Sequence, residues 1–187
     1  MIKSRQVSLI GYHGSNQIFS EFESKYARII NDFYGGGIAY FSDNKEKAIG
    51  FAKSMAKKEG QPIVYTAELE FKHLFDVDET FTGEDLTVLL PDDLDKFARG
   101  AGLVTAGMDK FSIYSKLETG SITLTADQIW RGLSSGQNQT AEAREWLKAK
   151  GYDGLRYNSI KREGNLSYSV YLAYYPSSIT IVDVEEC

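Results

Sequence analysis

Ile63-Val64-Tyr65-Thr66-Ala67-Glu68-Leu69-Glu70-Phe71-Lys72 sets the fold class, because Ile63, Tyr65, Ala67, Leu69 and Phe71 alternate with Val64, Thr66, Glu68, Glu70 and Lys72. A period of two marks a strand with one face against a core. Just upstream, Asp43 and Glu46 form a capping-box-like helix start, and Ala48, Phe51, Ala52 and Met55 fall on one face of a helix ending near Gly60 and Pro62. Before it, Gly35-Gly36-Gly37 leads into strand-like Ile38 to Phe41. Further out, Val7 to Tyr12 reads as a strand ending at His13, with Gly14, Ser15 and Asn16 as a turn. Phe22, Tyr26, Ile29 and Ile30 give Phe19 to Asn31 the spacing of a surface helix.

Downstream, residues 83 to 138 are less regular. Glu84 to Leu90 and Pro91 to Arg99 read as short helices, with Pro91 as a first helical residue, and Ile122 to Leu124 is strand-like. Thr140 caps a helix with Ala143, Trp146 and Leu147 inward, stopped at Gly151. Strand signals close the chain at Gly154 to Asn158, Tyr168 to Tyr174 and Ile179 to Val184. Strands at both ends with helices between them predict an α+β fold.

At 187 residues the chain has the length of one ordinary domain. No apolar run approaches the ~20 residues that span a bilayer, so a soluble protein with no membrane partner is expected. The one cysteine, Cys187, excludes an intrachain disulfide and a cysteine-based zinc site and fits a reducing cytoplasm. No second ligand stands at metal-binding spacing from His13, and His73 reads as a surface residue, so no metal is expected. A formal charge of −5 argues against nucleic acid, whose nonspecific binding is built from phosphate-neutralising Lys and Arg. A protein target or a small molecule is favoured. Oligomeric state is not readable.

The chemistry-bearing features are His13-Gly14-Ser15, then Gly37-Ile38-Ala39-Tyr40-Phe41-Ser42 opening a helix, then Gly151-Tyr152-Asp153-Gly154, and finally Tyr171-Leu172-Ala173-Tyr174-Tyr175-Pro176-Ser177-Ser178-Ile179. In this order they resemble the ADP-ribosyltransferases, most closely the diphtheria-toxin/poly(ADP-ribose) polymerase branch and its small domains in polyvalent proteins of phages and mobile elements. The likeness covers roughly residues 11 to 70 and 140 to 182. It implies split mixed or antiparallel sheets with flanking helices in a single domain, 1–187. A variable, mainly helical or loop insertion at about 83–138 would carry target recognition.

The resemblance also implies NAD as substrate and a set of roles. His13 would hydrogen-bond the adenosine ribose, the Gly14 backbone would pair with the nicotinamide carboxamide, and Ser15 would add a hydrogen bond to amide or ribose. Tyr40 would stack on nicotinamide, with Phe51 as a second aromatic lacking the usual hydroxyl. Phe51 has an equal alternative as a member of the helix's core stripe. The departure is Val170, which stands where active polymerase-like members carry an acid, usually glutamate, that holds the nicotinamide ribose. Valine neither accepts a hydrogen bond nor offsets developing positive charge.

Three readings follow. Binding and orientation suffice for slow mono-ADP-ribosylation of a host protein, in a bacterial cytoplasm if the chain is phage-encoded. Alternatively Glu163, or Asp153, supplies a displaced carboxylate. Or the domain is a catalytically silent NAD-binding or protein-binding module. An NAD glycohydrolase differs from the first only in its acceptor.

Overall fold

The computed structural model describes residues 3, 5–23, 37–105, 109–135, 140–159 and 168–187. Their elements run β1 (Arg5–Ser15), β2 (Ala39–Ser42), α1 (Lys45–Ala56), β3 (Ile63–Asp76), β4 (Thr80–Phe81), α2 (Gly83–Thr87), α3 (Leu94–Gly100), α4 (Lys110–Glu118), β5 (Leu124–Thr125), α5 (Ala126–Leu133), α6 (Thr140–Ala149), β6 (Gly154–Ser159), β7 (Tyr168–Ala173) and β8 (Ile179–Glu186). The class is α+β. Two compact units divide the chain: a sheet unit, 5–23, 37–74 and 153–187, and a mainly helical unit formed by Phe75–Tyr152 with Lys3.

In the sheet unit the strands follow the order β1-β2-β7-β6-β3-β8, with β1 also bonded to β3. Five strands therefore form a closed circuit, and β8 branches from β3. The alternating strand read from sequence is the hub of this circuit. Its Tyr65, Ala67, Leu69 and Phe71 are buried in a core with Phe22, Phe41 and Ala173, each large side chain contributing about 2 kcal/mol of burial. Val64, on the face expected to be polar, is also buried, because α1 covers it with Ala48 and Ala52.

The contact of β1 with β2 is short. β1 pairs with β3 over ten positions, from Arg5↔Leu74 to Ser15↔Ile63, but with β2 only at Tyr12↔Ser42. β1 also runs through the residues read from sequence as a turn: Gly14 pairs with Val64 and Ser15 with Ile63. The glycine answers a different need. A Cβ on Gly14 would stand 2.2 Å from the Ala48 carbonyl oxygen and 2.9 Å from the Ala52 nitrogen, so α1 rests directly on bare backbone.

The cap of α1 is Asn44, whose side chain accepts from Lys47 N at 3.2 Å. Asp43, the expected cap, instead extends the β2–β7 pairing: it accepts from Ser169 N at 3.0 Å and donates its own N–H to Ser169 O. Residues 19–23 are irregular, and the rest of the helix expected over Phe19 to Asn31 lies outside the described residues. So do Gly35, Gly36 and Glu163.

In the helical unit α2 and α3 stand near their expected places. α3, however, begins at Leu94 behind an Asp93 cap, leaving Pro91 outside it. Trp130 is fully buried, and the Trp146 indole N–H donates to Leu89 O at 3.0 Å. No helix among the described residues is long and apolar enough to cross a membrane.

Candidate functional site

Past Tyr12↔Ser42 the β1–β2 ladder stops, and a side chain takes over. His13 Nδ1 lies 2.9 Å from the Tyr40 carbonyl oxygen. A carbonyl only accepts, so Nδ1 carries the proton and Nε2 is left as an acceptor. The half-buried imidazole is flanked by aromatic rings, with centroids at 5.2 Å for Phe22, 5.7 Å for Phe41, 6.1 Å for Tyr65 and 6.3 Å for Phe19. This burial pushes the His13 pKa below its ordinary value, and the bond to Tyr40 O offsets part of the shift.

The sign of the linked stability change follows directly. As pH falls through about 6.5 the unfolded chain takes up a proton that folded His13 refuses. Stability contributed by His13 is therefore complete above that pH and is lost toward the lower folded pKa, at up to about 1.4 kcal/mol per pH unit. Urea unfolding at stepped pH is expected to show this loss in the parent protein and a reduced loss in His13→Asn. Equal slopes in the two would contradict it.

Strand parity sorts the remaining candidates. Tyr12, Ser42, Val170 and Tyr157 form one row across β1, β2, β7 and β6, and Tyr40 is two residues from Ser42 on the same face. That is the face of α1, Val64 and Gly14. His13 and Phe41 leave on the opposite face, so the structure joins His13 to Tyr40 through the Tyr40 backbone and not through its ring. Ser15 is 7% exposed, and its Oγ accepts from Gln17 N at 3.2 Å, closing the strand end.

Phe51 is 58% exposed, which removes it from the core stripe that Ala48 and Ala52 form. The expectation of a four-residue stripe fails because the sheet meets α1 along those two alanines. One turn earlier, Lys47 places its ammonium 5.6 Å from the Tyr168 ring centroid on β7. Residues four apart share a helix face, so Phe51 stands on the flank of α1 turned to the β2–β7 side.

Val170 is 8% exposed, and its row carries the hydroxyl side chains Tyr12, Ser42 and Tyr157 rather than a carboxylate. Asp153 is committed elsewhere: its two carboxylate oxygens accept from Lys72 N at 2.7 Å and His73 N at 3.1 Å, fastening the start of β6 to β3. Comparison of the chain with protein-family models, curated proteins and solved structures gave no match.

Sequence reasoning missed the ring set around His13. Phe19, Phe22 and Tyr65 reach it from segments up to 52 positions away, and no local spacing announces such a contact. The one available signal was the aromatic density of the first 41 residues.

Proposed function

We propose that the sheet unit binds NAD at the opening between β1 and β2 and transfers ADP-ribose to a host protein as a mono-ADP-ribosyltransferase. The observation that carries this reading is the exposed Phe51 on the β2-facing flank of α1. A large aromatic left in solvent on the sheet face that also carries Tyr40 suits stacking on a flat ring. Tyr40 and Phe51, the aromatics assigned to nicotinamide, share the α1 side of the sheet, whereas α1 itself covers that side of Gly14. His13, assigned to the adenosine ribose, points to the other side with an acceptor nitrogen suited to a ribose hydroxyl. The polymerase-like fold of the ADP-ribosyltransferases, with its split sheet, belongs to the same proposal and is supported by the single-pair β1–β2 contact.

In the reaction the bond between nicotinamide and ribose breaks, nicotinamide leaves, and the acceptor nucleophile bonds to the ribose carbon as it loses its proton. The chain's contribution is to hold the leaving ring and orient the ribose. Charge stabilisation is the missing part, because Val170 supplies none. This favours a second reading, a silent NAD-binding module that acts by occupancy.

Labelled NAD with a bacterial lysate separates the two. Transfer by the parent chain, with Glu163→Gln reducing it about a hundredfold, is the expected result for a displaced acid. An inactive parent whose Val170→Glu variant gains transfer marks a decayed site and rejects the enzyme reading. Nicotinamide release without labelled protein replaces the protein acceptor by water.

A further inference from the structure

Tyr65, the third residue of β3, is fully buried, and yet its hydroxyl is in use. It accepts the Phe19 N–H at 2.6 Å and faces two carbonyls, Gln17 O at 3.2 Å and Phe19 O at 3.3 Å, with one proton to share between them. Its ring stacks on Phe19 with centroids 4.2 Å apart and planes 15° apart. Phe19 in turn meets Phe22 edge-on at 4.8 Å, and both rings contact the imidazole of His13. One oxygen thus fastens the irregular segment 17–22, which has no ladder partner of its own, over the histidine.

We propose that Tyr65 is a positioning residue for His13, its hydroxyl clamping the Gln17–Phe19 backbone so that Phe19 and Phe22 hold the imidazole with Nε2 presented as an acceptor. Its effect on NAD rests on the cofactor reading above, whereas its effect on His13 does not. Burial raises the pKa of Tyr65 itself, so the hydroxyl keeps its proton at neutral pH. On the sheet face of His13 the titratable side chains are Tyr65 on β3 and, beside Phe41, Tyr171 on β7, with Glu21 on the irregular segment that carries Phe19 and Phe22; Tyr12, Tyr40, Glu68 and Glu70 stand on the opposite face. Phenylalanine at position 65 would fill the same volume but leave the Phe19 N–H and its carbonyl neighbours without the hydroxyl. The segment then loosens and the imidazole becomes more exposed to water.

The test follows the imidazole protons of His13 in the whole chain by NMR against pH, with the second of the two histidines, His73, removed by substitution to assign the signal. In Tyr65→Phe the His13 titration is expected to move upward toward 6.5, and NAD affinity to fall about tenfold. An upward His13 shift in a protein whose parent binds no NAD upholds the clamp and rejects the cofactor reading. An unshifted His13 overturns the clamp. Should the variant not fold, amide exchange in the parent decides: slow exchange at Phe19 supports the clamp, and exchange at the rate of an open loop overturns it.

Discussion

Gly14→Ala is expected to lower the unfolding free energy by about 3 kcal/mol, the upper end of ordinary overpacking. The added methyl would meet the backbone of α1, at the Ala48 carbonyl oxygen and the Ala52 nitrogen. Backbone cannot rotate aside, so the helix must lift from β1 and expose Val64, Ala48 and Ala52. The control is Gly50→Ala on the same helix. A Cβ there meets nothing within 4 Å, and alanine in an exposed helical position adds about 0.5–1 kcal/mol. Chemical denaturation of the two variants should therefore give shifts of opposite sign. A tolerated Gly14→Ala would mean that α1 does not rest on β1.

The second large effect falls on ligand and not on stability. Because Phe51 is mostly in solvent, Phe51→Ala should change the unfolding free energy by less than about 0.5 kcal/mol. Loss of one stacking face should weaken NAD binding by about 10- to 100-fold, the range for aromatic stacking on a flat ring. Phe51→Tyr keeps that face and should bind like the parent. Calorimetric titration beside thermal melting reads both quantities. A Phe51→Ala variant that melts early but binds normally would return Phe51 to the core and remove the main support for the site.

How much of this was legible depends on whether the determinant was local. The alternation at Ile63–Phe71 was readable because one face of β3 meets a core along most of its length. Val64 broke the pattern because a helix from another part of the chain covers it. Gly14 looked like a turn residue for the same reason: nothing within three positions reveals that α1 lands there. α5 was readable and missed, since Thr125 and Gln128 form a capping box in sequence as in space. α4 was not, because Leu117 is its one buried side chain while Phe111 on the same helix is 83% exposed, so its apolar residues trace no inward face. At the candidate site, His13, Gly14 and Tyr40 came from motif order alone. The side to which each points came from strand register, and the clamp on His13 from a hydroxyl contact across 46 positions.

The central claim is that the opening between β1 and β2 holds NAD, and direct titration of the whole chain with NAD tests it. Saturable binding is predicted, competed by nicotinamide and by ADP-ribose separately, weakened in Phe51→Ala on the nicotinamide side and in His13→Asn on the ADP-ribose side. The absence of any saturable signal at millimolar NAD, in a chain that melts cooperatively, would contradict the account.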